Sequence, residues 1–232
     1  ISLTGYLTGV RVETADRAEK HLAVNAQIAA LFDDAGNEVT GCTTRIDSRS
    51  TTLADSGAID AQSLVDQIAH AVDTLFVDSD NLDQDIQLIA MSCFWHSLVG
   101  VDEAGRPTTP VFGWSDGRAA QAAEQLRAEH DEVAVHSRTG CRFHPSYWPA
   151  KLRRIRHDEP GVFSKTRRWL SFSDYLAEQF CGETGTSVSM ASGTGLFDQR
   201  KCEWDIELTN ALRIEMEMLP EIFSSARTFS GL

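Results

Sequence analysis

Within residues 60–76 apolar side chains recur at Leu64, Ile68, Val72 and Leu75, the spacing of a single helical face. The period changes on both sides of this segment. Before it, IAALFD (28–33) and residues 39–46 read as two strands joined by the turn AGNE, a hairpin. After it, residues 86–91 are apolar at every position but Gln87. Such a run predicts an inner strand with both faces covered. Residues 98–101 and 109–113 read as two more short strands, and WSDGRAAQAAEQLRAEH (114–130) opens a long Ala-rich helix. Strands and helices alternating in this way exclude a helical bundle and predict an α/β chain, a mixed sheet flanked by helices.

The 232 residues suffice for a substantial core. Twenty-one Lys and Arg stand against 34 Asp and Glu, a net charge of −13. That balance argues against nucleic acid as a partner, because such binding neutralises phosphates with Lys and Arg. No apolar run approaches the roughly 20 residues of a membrane span. The first residues, ISLTGYLTGVRVETADRAEK, lack a signal-peptide pattern, so a cytoplasmic protein is expected. Cys42, Cys93, Cys141, Cys181 and Cys202 are odd in number and scattered, which predicts reduced thiols and no metal site.

In the second half, residues 151–157 look helical and Pro160 stops them. Ser171 followed by Asp174 is a capping-box pattern opening a helix that ends near Gly182. TGTSVSMASGTGLFD (184–198) is small, Gly-rich and β-prone, and a last helix is expected over residues 206–211.

Four constellations could carry chemistry. CFWHS (93–97) follows a strand, where open α/β sheets bind ligands. His96 there can meet a substrate hydroxyl and Trp95 a sugar ring, or the two can be a structural histidine and a core tryptophan. In WSDGR (114–118), Asp116 beside Arg118 is suited to polyols and sugar acids, a carboxylate accepting from hydroxyls next to a guanidinium. The same Asp could instead cap a helix. Gly193-Thr194-Gly195 could cradle phosphate, but it lacks a following lysine of the Walker type and suits a tight turn. Lys151, Arg153, Arg154, Arg156, Lys165, Arg167 and Arg168 form a basic run, read in so acidic a chain as a solvated helix face.

Taken in order, CFWHSLVGVDEAGRPTTPVFGWSDGRA, TGCRFHPSYWPAKL, RWLSFSDYLAEQFCGE and SVSMASGTGLFDQRKCEWD closely resemble the FGGY carbohydrate kinases. SCFWHSL and HPSYWPAKL point to the gluconokinase-like branch. The resemblance runs from about residue 28 to 222. It implies an actin-like, ribonuclease-H-like fold, ATP-dependent phosphorylation of a sugar or sugar acid, and ATP with Mg²⁺ as cofactors. It also implies a small-molecule partner, no membrane or nucleic acid, and allows a homodimer. Carried over by position, Trp95 and His96 would sit at the sugar, and Asp116 and Arg118 would bind its hydroxyls or acid end. Thr194 and Asp198 would be structural.

Two departures from the family pattern shape the expectation. Family members begin with a strand and an Asp-x-Gly-Thr-Ser loop facing the ATP phosphates. If ISLTGYLTGVRV supplies that strand, Thr4 holds the Asp position and Tyr6 and Leu7 replace Gly and Thr. If HLAVNAQIAALFD does, His21 holds it and Ala23 and Val24 replace Gly and Thr. The family's general base is an Asp beyond residue 232, so no catalytic residue is expected within the chain. Residues 1–232 are thus expected to be an N-terminal sugar-binding domain without the ATP-binding domain, atypical over residues 1–27 and inactive alone. The alternative is a non-catalytic sugar-binding or interaction domain derived from such a kinase.

Overall fold

The computed structural model describes residues 2–6, 26–32, 37–47, 58–78, 89–91 and 93–223. In chain order the strands are β1 Ser2–Tyr6, β2 Ala26–Phe32, β3 Glu38–Asp47, β4 Ala58–Ile59, β5 Ile89–Met91, β6 Val99–Val101, β7 Val111–Phe112, β8 Arg168–Leu170, β9 Thr186–Ser187, β10 Phe197–Asp198, β11 Glu203–Trp204 and β12 Ile222–Phe223. The helices are α1 Ala61–Asp78, α2 Ala120–Glu129, α3 Glu132–Thr139, α4 Trp148–Asp158, α5 Pro160–Lys165, α6 Phe172–Cys181, α7 Val188–Ser192 and α8 Ile206–Ala211. The chain divides into two units, residues 1–52 with 62–94, and residues 53–61 with 95–232.

The first unit carries a mixed sheet in the order β3-β2-β1-β5. The predicted hairpin is β2 and β3, antiparallel with a register shift between Ala30 and Phe32. β1 runs antiparallel to β2 and parallel to β5, with Thr4 opposite Ala30 and Ala90. Both segments that could supply the first strand contribute to this sheet, Ser2–Tyr6 as β1 and Ala26–Phe32 as β2. Ala71 and Leu75 of α1 pack with Ala29, Leu31 and Cys42, which is why the helix has one apolar face. The expected inner strand over residues 86–91 lies partly outside the described residues. Among the described residues only Ile89–Met91 is extended, it pairs with β1 alone, and it stands at the end of the order. A continuous apolar run demands cover on both faces but does not say that a neighbouring strand lies at each edge. Residues 85–88 lie outside the described residues, as does most of the predicted loop 47–58.

The second unit builds short two-stranded pieces, β4 with β7, β6 with β8, β10 with β11 and β9 with β12, around one apolar core. The predicted strands at 98–101 and 109–113 are there but shorter, and they join different partners. Gly100 sits where a Cβ would come within 2.8 Å of both Trp169 and Thr108, so the close approach of β6 to β8 requires glycine. Small residues on α2, Ala122 and Ala123, let it pack closely on α4. Trp148 of α4 stacks on Trp204 at 6.2 Å and donates its indole N–H to the Ser97 carbonyl at 2.8 Å.

Several termini obey local rules. Ser171 and Asp174 form the predicted capping box on α6, and Gly182 closes that helix at φ 68°. Asp131 caps α3, and Asp205 caps α8. Pro160 does end α4, yet it also begins α5, where proline suits a first helical turn. The segment read as β-prone holds a helix, α7, because the Ser187 side chain accepts the Met190 N–H as an N-cap. No helix among the described residues is long and apolar enough to cross a membrane.

Candidate functional site

The site grows from three turns of the second unit. The first is Trp95–His96, just before β6. His96 has φ 63°, a left-handed backbone that costs a non-glycine residue about 1–2 kcal/mol. Its Nδ1 lies 2.5 Å from the Gly193 carbonyl. A carbonyl only accepts, so Nδ1 carries the hydrogen and the neutral ring keeps Nε2 as its acceptor. Burial lowers the imidazole pKa, the Gly193 carbonyl opposes this, and the Lys151 and His144 charges lower it further. His96 is therefore neutral at pH 7 and suited to a hydroxyl. The Tyr147 ring stands edge-on to it with centroids 4.7 Å apart.

The second turn is WSDGR, after β7. Arg118 grips Asp116 with Nε to Oδ1 at 2.9 Å and Nη2 to Oδ2 at 2.7 Å, and its backbone N–H adds a bond to Oδ1 at 3.0 Å. Burial raises the Asp116 pKa, but the hydrogen bonds and charge of Arg118, with the Lys151 charge, outweigh it and hold the carboxyl below its ordinary value. The Asp116 side chain is 3% exposed and that of Arg118 39%. The guanidinium is thus the group that meets solvent, and Asp116 fixes its plane. Asp116 is not a helix cap. α2 begins after Ala119, with no side-chain bond at its N-terminus.

The third turn is Gly193-Thr194-Gly195, which ends α7. Thr194 donates to the Ala191 carbonyl and accepts the Leu196 N–H, so the segment is the tight turn that its composition allows. Asp198 accepts the N–H groups of Arg200 and Lys201. Both residues hold backbone, as the resemblance implied. Trp95 lies over Gly193, where a Cβ would stand 3.2 Å from the indole Cγ, and the indole is 49% exposed rather than part of the core.

Residues 26–232 match the model of the FGGY family of carbohydrate kinases, N-terminal domain. The chain belongs to this family. It is 24% identical over 229 residues to the gluconokinase of Bacillus subtilis, covering 98% of the chain and 42% of that protein. It is 35% identical over 133 residues to the glycerol kinase of Koribacter versatilis, covering 55% of the chain and 27% of that protein. The chain therefore spans well under half the length of these curated relatives. Its fold is similar to a crystal structure of gluconate kinase from Lactobacillus acidophilus, with a TM-score of 0.80 at 24% identity over 89% of this chain and 41% of that one. The actin-like α/β class expected from the sequence is the fold of this FGGY chain.

All four expected site residues of the FGGY domain, Trp95, His96, Asp116 and Arg118, lie on turns of one unit. Leu98 and Phe112 exchange two backbone hydrogen bonds at the base of the first two turns, and a residue that the sequence reading misplaced adds a side-chain link between them. Lys151 is 1% exposed, not on a solvated face, and its Nζ donates to the carbonyls of His96, Gly113 and Phe112. The rest of the basic run is dispersed. Arg153 pairs with Glu129, Arg154 with Glu159 and Arg168 with Glu178. The signal for Lys151 was position: it falls three residues after Trp148 and four before Ile155, on their buried stripe. Among the described residues no group of three His, Cys, Asp or Glu side chains could hold a metal ion.

Proposed function

We propose that this chain forms the sugar-binding half of a carbohydrate kinase that transfers a phosphoryl group from ATP to a gluconate-like sugar or sugar acid. The observation that carries this reading is the Asp116–Arg118 fork, on a turn that Lys151 ties to the His96 turn, in a chain of the FGGY family. Arg118 would donate to the hydroxyls or acid end of the sugar, with Asp116 orienting it. His96 Nε2 would accept from a second hydroxyl, and the exposed Trp95 would lie against the sugar's apolar face. ATP would supply the phosphoryl group, and Mg²⁺ is assigned no ligand among the described residues.

Asp116 is a poor proton acceptor, since Arg118 occupies its oxygens and lowers its pKa. Asp198 and Asp205 are engaged in turns and caps. A second reading, a sugar-binding domain without phosphoryl transfer, is favoured by the sequence before β2, where neither candidate for the family's Asp position, Thr4 or His21, is a carboxylate. The acidic composition supports a cytoplasmic location.

Calorimetry of the 232-residue chain with gluconate, xylulose and glycerol tests the sugar reading. Binding of one of them is expected, and Arg118→Ala should weaken it tenfold or more, since a charged hydrogen bond is worth about 1.5–3 kcal/mol. A folded chain that binds none of the three would overturn the assignment. A coupled assay for ADP release, run on this chain joined to the ATP-binding domain of an FGGY kinase, separates the two readings.

A further inference from the structure

Lys151 is the one Lys or Arg among the described residues that is fully buried. Its Nζ lies 2.5 Å from the His96 carbonyl, 2.9 Å from that of Gly113 and 3.1 Å from that of Phe112. An ammonium has three hydrogens, and here three carbonyls take them. The carbonyls belong to two turns far apart in sequence. His96 lies before β6, and Phe112 and Gly113 end β7. The Gly113 carbonyl also accepts the Asp116 N–H at 3.4 Å. One side chain thus bonds directly to the His96 turn and stands a single shared carbonyl away from Asp116.

A lysine is an expensive way to fill this space. Burying its charge costs several kcal/mol, and an apolar side chain of the same length would avoid that cost. The strained His96 gives a reason for the cation. Its ring is tied to Gly193 and its carbonyl to Lys151, so the left-handed residue is fixed from both sides.

We propose that Lys151 is the positioning residue of the sugar subsite: its ammonium locks the His96 turn to the Asp116–Arg118 turn and so sets the spacing at which imidazole and guanidinium meet one sugar. This rests on the sugar-binding reading above. The charged or titratable groups facing Lys151 are Asp116 and Arg118 on the turn after β7, and His96. Burial lowers the Lys151 pKa to about 7, with Asp116 opposing and Arg118 assisting. Above that pH the amine keeps two N–H donors for three carbonyls, and the lock loosens.

The test combines gluconate calorimetry with nitrogen NMR of histidine-labelled protein, on the 232-residue chain and on Lys151→Met, from pH 6 to 9. In the unsubstituted chain the gluconate Kd should rise severalfold as pH passes 7. In Lys151→Met it should be at least tenfold weaker at pH 6 and flat with pH. The His96 nitrogen shifts should leave the pure Nδ1–H tautomer in the variant. A folded Lys151→Met with unchanged His96 shifts and unchanged affinity overturns the proposal. If the unsubstituted chain binds no gluconate, the sugar reading fails for that ligand, and the His96 shifts still decide the lock. If Lys151→Met does not fold, the unsubstituted chain decides. His96 shifts that stay constant from pH 7 to 9 overturn the proposal, and a drift away from the Nδ1–H tautomer supports it.

Discussion

The Arg118 guanidinium closes on the Asp116 carboxylate two residues earlier, and the acid is almost shut off from water while the base is not. The pair therefore works outward through Arg118. Asp116→Asn keeps an oxygen for the Arg118 backbone N–H but removes the charge that aligns the fork. Sugar affinity should fall about tenfold, with the melting temperature within a few degrees of the starting chain. Calorimetry with a melting curve for each protein checks this. A large melting loss with intact affinity would reduce Asp116 to a structural carboxylate.

His96 offers a test that separates backbone from ring. At φ 63° a glycine is unstrained and an alanine is not. Both His96→Gly and His96→Ala remove Nε2 and should abolish measurable sugar binding. The glycine variant should be the more stable of the two by about 1 kcal/mol in urea unfolding. Equal stabilities would mean that the turn relaxes once the ring is gone.

Gly193→Ala probes Trp95. The Gly193 backbone, at φ −81° and ψ −5°, accepts alanine, so the only conflict is the Cβ at 3.2 Å from the indole. Trp95 must shift by a few tenths of an ångström. Its fluorescence should change and sugar affinity should drop severalfold with little change in stability. Unaltered affinity would remove Trp95 from the sugar contacts.

These residues differ in how far the sequence announced them. Leu64, Ile68 and Leu75 are wholly buried on α1, as their spacing required, and Ser171 and Asp174 cap as their order suggested. Asp116 and Arg118 were singled out by the family resemblance, since the segment alone also allowed a helix cap, and the structure shows the pair bonded to each other. Lys151 was not. Reading it with six neighbouring cations gave weight to charge, whereas its burial follows from its place on the Trp148–Ile155 stripe. The helix α7 was hidden because its small residues carry no period, and the Ser187 cap that starts it depends on a single hydroxyl.

The last prediction concerns pH and a residue away from the sugar. Asp174 is 3% exposed, and burial raises its pKa to about 7 against the hydrogen bonds from Ser171, Thr186 and Ser173. Its ordinary value is 3.8, so between pH 4 and 7 the folded chain binds more protons at this site than the unfolded one. Folded-state stability from Asp174 is therefore complete below about pH 4 and is lost as pH rises through 7. Lys151 acts in the other direction. Its folded pKa lies below its ordinary 10.5, so its contribution is present above pH 10.5 and is lost as pH falls through 7. Comparing each chain with its own variant isolates the group from all other titrations. Asp174→Asn retains an acceptor for the Ser171 N–H and should gain stability over the starting chain at pH 7.5 relative to pH 4.5. Lys151→Met should gain more at pH 7 than at pH 10. Urea unfolding at the paired pH values measures both, and differences that do not vary with pH would show that neither group titrates out of its ordinary range.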